Sequence, residues 1–232
     1  KITTGATLNS IATTGNVVST PRTATSAGGE VFLHATGGNI DLAADVTANG
    51  GATSGVGGTI TMIADAGSIK VANVSSQATA AADWGTVQLS AATGITQYAG
   101  SITDKYLRLI STGGNVILAN AGNDAQILAA ALSGASSLDY NDTNALTLDT
   151  VPVAGTLAGS TLGPTSNVTV AGANTIKITT HGLLSSTTNG NVVSTGATTG
   201  GEVFLHAVTG NIDLLGDVTA NGTTGTGGTI TM

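Results

Sequence analysis

Cysteine is absent from this 232-residue chain, and proline, aromatic and charged residues are all scarce. Without cysteine there can be no disulfide framework and no thiolate-ligated metal. Aromatic residues make up 3% of the chain, with a single Trp, so a core of large rings cannot be built and there is little to line a sugar-binding groove. Charged residues make up 8%, against roughly 25% in ordinary globular proteins. Net charge is -7, and the six basic residues are scattered except for Lys105 and Arg108. That excludes a nucleic-acid interface, which needs Lys and Arg clustered on one face. No apolar run approaches the roughly 20 residues that cross a bilayer, and no signal-peptide pattern opens the chain.

What is present is glycine (34 residues) and small aliphatic and hydroxyl residues, with 41% of the chain hydrophobic. Disorder requires low hydrophobicity as well as few aromatics, so this chain is expected to fold. A thin architecture of stacked small side chains suits the composition.

A long internal repeat organises the sequence. Residues 29–50 (GEVFLHATGGNIDLAADVTANG) and 201–222 (GEVFLHAVTGNIDLLGDVTANG) are identical at 18 of 22 positions. Upstream, Lys1-Ile2-Thr3-Thr4 matches Lys177-Ile178-Thr179-Thr180, and Gly15–Thr20 matches Gly190–Thr195; downstream, Gly58–Met62 matches Gly228–Met232. The offset between copies shrinks along the chain, from the Lys1/Lys177 match to the Met62/Met232 match. Small insertions therefore fall in Thr/Ser/Gly-rich stretches such as Thr20–Gly28, where loop length varies at little cost. Residues 1–176 read as one complete unit and 177–232 as the first third of a second. The expectation is that the chain is part of a longer array.

Within the unit runs a shorter rhythm: Gly or Asn, then polar–apolar–polar–apolar. Asn39-Ile40-Asp41-Leu42, Thr59-Ile60-Thr61-Met62, Ser68-Ile69-Lys70-Val71, Thr86-Val87-Gln88-Leu89 and Thr175-Ile176-Lys177-Ile178 are examples. Period-two alternation rich in β-branched residues marks half-buried strands. Asp41, Thr61, Lys70, Gln88, Arg108, Thr147, Thr169 and Lys177 then face outward, and Val, Ile, Leu and Met inward. Helical periodicity is absent; the most helix-friendly stretch, Gln126–Leu132, is too short to matter. Strand spacing predicts coils of about 20–30 residues with two to three strands each, stacked about 4.8 Å apart, or roughly six to eight coils per unit. The fold class is an all-β parallel solenoid. An antiparallel β-sandwich is the rival, disfavoured by the long repeat and the lack of a large aromatic core.

The strand-turn pattern of Gly38-Asn39-Ile40-Asp41-Leu42, Gly114-Asn115-Val116-Ile117-Leu118 and Asn144-Ala145-Leu146-Thr147-Leu148 resembles the filamentous-haemagglutinin-like β-helix repeat proteins and other giant bacterial surface adhesins. That resemblance implies a right-handed β-helix, secretion to the cell surface, and a role in adhesion or extracellular fibres.

Candidate chemical residues are few. His34 and His206 are one position in two copies and are expected to be outward surface residues; His181 has no counterpart. Asp41, Asp45 and Glu30 recur as Asp213, Asp217 and Glu202, a solvated face rather than an acid–base pair. Asp139, Asn141 and Asp142 lie in the densest run of oxygen ligands, Asp139–Asn144, and form the candidate Ca²⁺ site, although the glycine and distal Glu of a calcium loop are missing. A polar Asx-turn between strands is the competing reading of that run. Asn73, Asn141, Asn167 and Asn221 open N-x-S/T sequons. No other cofactor is expected.

These readings point to a non-enzymatic structural module of an extracellular or cell-surface fibre or adhesin. Its partners would be neighbouring repeat units or like subunits end to end, and host-cell or matrix carbohydrate or protein. The alternatives are a self-assembling filament or sheath and, from another class, a carbohydrate-binding or carbohydrate-cleaving β-helix.

Overall fold

Alternation of small apolar and polar residues gives this chain strands of two to ten residues, each paired with the equivalent strand one coil on. The computed structural model describes residues 1–10, 15–155 and 163–232. The first coil holds β1 (Ile2–Thr4), β2 (Leu8–Ser10) and β3 (Val17–Val18). The second holds β4 (Glu30–Ala35), β5 (Ile40–Leu42) and β6 (Val46–Thr47), and the third β7 (Thr59–Ala64), β8 (Ile69–Val71) and β9 (Val74–Ser75). The fourth and fifth share long strands that turn a corner: β10 (Thr86–Ala91), β11 (Ile95–Gln97), β12 (Ile102–Ser111), β13 (Val116–Leu118) and β14 (Asp124–Leu132). The sixth is completed by β15 (Leu138–Asp142) and β16 (Leu146–Leu148). Then follow β17 (Val168–Ala171), β18 (Thr175–Thr180) and β19 (Leu184–Ser186); β20 (Val192–Gly196), β21 (Glu202–Ala207) and β22 (Ile212–Leu214); and β23 (Val218–Gly222) with β24 (Thr229–Thr231).

Every ladder between these strands is parallel, so the chain is a parallel β-solenoid and the sandwich is excluded. Three ladders run along it. The first is β1-β4-β7-β10-β12-β14-β17-β20-β23, the second β2-β5-β8-β11-β13-β15-β18-β21-β24. The third is β3-β6-β9, then the starts of β12 and β14, then β16-β19-β22. Coil length varies. One turn carries Thr86 only as far as Tyr106, whereas another carries Ala130 to Val168; Ile2 to Leu33 and Thr59 to Thr86 fall between. The stretch that looked most helical lies in β14, where a short helix would forfeit two ladders of hydrogen bonds.

Like residues stack to make the core. Ile40, Ile69, Ile95, Val116, Leu138, Ile176 and Val203 are consecutive partners down the second ladder, and each is at most 1% exposed. Small aliphatics suffice because each fills only the slab of its own coil, about 4.8 Å thick.

The residue before each strand explains the recurring Gly-Asn. Asn39 Oδ1 accepts the backbone N–H of Ser68, and Asn115 Oδ1 that of Ser137. Asn73 Oδ1 likewise accepts from Ser101, and Asn167 and Asn191 from Asn191 and Asp217 in turn. Each amide satisfies a corner N–H that the strand ladder cannot reach. Glycine is required where coils meet most closely: a Cβ on Gly58 would run into the carbonyl oxygen of Gly29, and one on Gly85 into that of Gly58.

The two sequence copies do not occupy the same ladders. Glu30–Ala35 lies in the first ladder, but the identical Glu202–Ala207 lies in the second. Ile40–Leu42 lies in the second and Ile212–Leu214 in the third. Unequal coil lengths produce this shift.

Candidate functional site

Strand alternation decides where the candidate calcium ligands point. In β15, Leu138, Tyr140 and Asp142 are buried, whereas Asp139 and Asn141 are only partly so. Asp139 and Asn141 therefore face outward and Asp142 inward, and the three do not share a ligand sphere. The run is a strand as far as Asp142 rather than a polar turn; the Asx-turn begins there, with Asn144 N–H donating to Asp142 Oδ1 at 2.9 Å. Asp139 instead pairs with Lys177 on the next coil, Nζ to Oδ2 3.2 Å. Among the described residues no group of three or more His, Cys, Asp or Glu is placed to hold a metal ion.

Asp142 belongs to a polar cluster inside the solenoid that the sequence pattern did not reveal. Tyr140 Oη donates to Asp142 Oδ2 at 2.8 Å, and Ala125 N–H donates to the same oxygen at 2.9 Å. Burial pushes the Asp142 carboxyl up to about 6, against these hydrogen bonds, which lower it. One coil before Ala125, Asp104 is fully buried and neither carboxylate oxygen has a hydrogen-bond partner. Burial, and then the nearby charges of Asp142 and Asp124, raise its pKa well above the ordinary carboxylate range. Tyr140 is raised as well, first by burial. Asp104 points inward because the inward phase slips at the Lys105–Tyr106 corner: Ile102 and Asp104 precede it, Leu107 and Leu109 follow. The phase break in Ile-Thr-Asp-Lys-Tyr-Leu-Arg-Leu was the available signal.

A second feature is a strap. Residues 149–155 and 163–167 form the described parts of this strap, in which Val151 and Thr165 exchange both backbone hydrogen bonds in an antiparallel bridge. It meets the outward row of the first ladder, whose register partners are Phe32, Thr61, Gln88, Arg108 and Ala129, at Gln88 and Arg108. Arg108 Nε donates to Thr165 Oγ1 at 2.7 Å and Nη2 to Gly163 O at 2.9 Å, while Gln88 Nε2 donates to Ala154 O at 2.8 Å. Thr61, Gln88 and Arg108 point outward as expected, but they are buried rather than solvated. Burial lowers the Arg108 pKa. Two of the three prolines, Pro152 and Pro164, fall in this segment, the signal that regular coil stops here.

The open outer face of the second ladder is polar. A groove of about 260 Å³ on it is bordered by Asn115, Ile117, Asp139 and Lys177. Asp41 accepts from Tyr98 Oη at 2.7 Å, with Lys70 Nζ 3.8 Å from the Tyr98 ring. His34 faces outward and meets Asp65, Nε2 to Oδ2 2.7 Å; His206 is exposed. Of the sequon asparagines, Asn73 donates to Asp45 Oδ1 at 2.8 Å, Asn167 has a φ of 69°, and Asn221 is exposed. Among the described residues no helix is long and apolar enough to cross a membrane.

No protein-family model matches the chain, nor does any curated protein or solved structure.

Proposed function

We propose that this chain is a non-catalytic structural segment of a rod-like extracellular or cell-surface protein, a fibre or adhesin in which the long unit recurs. The observation that carries the reading is that one motif, with its outward Glu, Phe and His, builds a coil at two levels of one continuous parallel stack. Function then attaches to length and repeated surface, since a catalytic constellation is not ordinarily duplicated along a rod. Electron micrographs of the native protein are expected to show thin rods or fibres; a compact particle that turns over a polysaccharide, and loses turnover when a single carboxylate is changed, would sink the proposal.

The filament alternative, with subunits stacked through strand edges, differs in whether continuity is covalent. Denaturing electrophoresis of the fibres separates the two. A carbohydrate-binding role has one observation in its favour, the polar groove at Asp139 and Lys177. Glycan-array binding that disappears with Lys177→Ala is its test.

A further inference from the structure

We infer that the long repeat is a screw operation: each unit advances the rod by six and one-third coils, so that a feature of one unit reappears one ladder round in the next. The inference rests on the tandem-array reading for its extension beyond this chain, but its basis lies within it.

From β4, six steps along the first ladder (β7, β10, β12, β14, β17, β20) lead to β20, and the next strand in the chain is β21, the copy of β4. The same count holds elsewhere. Six steps from β1 end at β17, and β18, on the second ladder, carries the copy of Lys1–Thr4. Six steps from β5 end at β21, followed by its copy β22; six from β7 end at β23, followed by β24. Every matched block shifts by the same third of a turn, so this is a property of the unit rather than of one loop.

Local environments survive the shift. Phe32 has Thr61 as its next-coil partner on the first ladder, and Phe204 has Thr231 on the second. The inward residues remain inward: Val31 and Leu33 are buried, as are Val203 and Leu205. The surroundings on the outside differ. Phe32 starts the row that runs beneath the strap, whereas Phe204 starts the corresponding row one ladder round. In an array of such units the strap would therefore close the first ladder, then the second, then the third, returning to the first after three units and nineteen coils, about 90 Å at about 4.8 Å per coil. At each level two ladders stay open, and any ligand or neighbouring rod would meet equivalent surfaces in three directions about the axis.

The alternative is an in-phase repeat with a whole number of coils, which would place β17 on the third ladder and β18 on the first. The absence of cysteine makes the two separable by paired cysteines and a short thiol crosslinker in the full chain. The screw places Asp139 beside Lys177 and Ala131 beside Thr169. The in-phase arrangement places Ala131 beside Lys177 and Thr147 beside Thr169. Crosslinking of Asp139→Cys with Lys177→Cys several-fold above Ala131→Cys with Lys177→Cys is the expected result; the reverse order overturns the inference. Ile117→Cys with Asp139→Cys, which lies before the shift, reports that the rod is intact. The pairs Ala131→Cys/Thr169→Cys and Thr147→Cys/Thr169→Cys repeat the test without touching the Asp139–Lys177 ion pair, and failure of the first of these beside an intact control is equally fatal. Catalytic turnover would remove the proposed function and leave these yields unchanged, so the two ideas fail separately.

Discussion

Asp104 and Asp142 set the solenoid's response to pH. Both have pKa values raised by burial, so the folded chain holds protons that the unfolded chain releases above about pH 4. Stability conferred by such groups is complete below the unfolded pKa and is lost as pH rises through the folded one. For Asp142 the window runs from about 4 to about 6, and the loss is on the order of 3 kcal/mol. Melting temperature is therefore expected to fall between about pH 4 and pH 6, with Asp104 adding to the decline in the same direction. Asp104→Asn replaces an unpartnered carboxyl with an amide that cannot ionise; thermal melts at neutral pH should show a higher midpoint and a flatter pH profile than the parent chain. A steeper profile would mean that Asp104 is held as a carboxylate by partners other than those seen. Gly85→Ala, by contrast, forces a methyl against the Gly58 carbonyl, and its loss of stability should exceed the roughly 1 kcal/mol of an ordinary Gly→Ala change. Denaturant titration measures it.

At the scale of single elements, the corner amides and the strap are the parts that side chains hold. Asn39→Ala leaves the Ser68 N–H without its acceptor and should cost about 1 kcal/mol by denaturant titration, because a corner N–H partly reached by water loses less than a buried one. Arg108→Ala removes that side chain's two hydrogen bonds to the strap, leaving that of Gln88; hydrogen exchange in residues 149–155 is expected to accelerate at least tenfold while the β5 and β8 amides keep their protection. The strands were legible in the sequence because alternation is local: Ile40-Asp41-Leu42 states its own inside and outside. The strap was not, because nothing near Thr61, Gln88 or Arg108 says that a segment much later in the chain returns over them. Asp104 was hidden for a related reason. Its direction depends on a corner between two ladders, and a corner displaces the period of two without changing any residue's type. Of the candidate ligands, Asp139 and Asn141 could be placed outward by alternation, but the inward partner of Asp142, Tyr140, became visible only once the strand replaced the expected turn.

The backbone ladders join each coil only to its neighbours, and side chains such as Tyr98, Gln88 and Arg108 add a few longer ties, so stability is close to a sum of coil and interface contributions plus those ties. The repeat was legible as sequence, but its phase was not. An offset that carries Lys1 to Lys177 and Met62 to Met232 reads naturally as a whole number of coils. Only the individual steps, short from Thr86 to Tyr106 and long from Ala130 to Val168, show that the unit ends a third of a turn late. Those unequal coils carry a mechanical consequence. Pulled from its ends, such a rod yields by peeling one coil at a time, each releasing the contour length wound into it. The coil from Thr86 to Tyr106 releases about 70 Å and the coil from Ala130 to Val168 about 130 Å. A force–extension trace of the chain would then be a sawtooth of unequal teeth, and a tether made of such units would lengthen many-fold under load before its anchor felt the full strain.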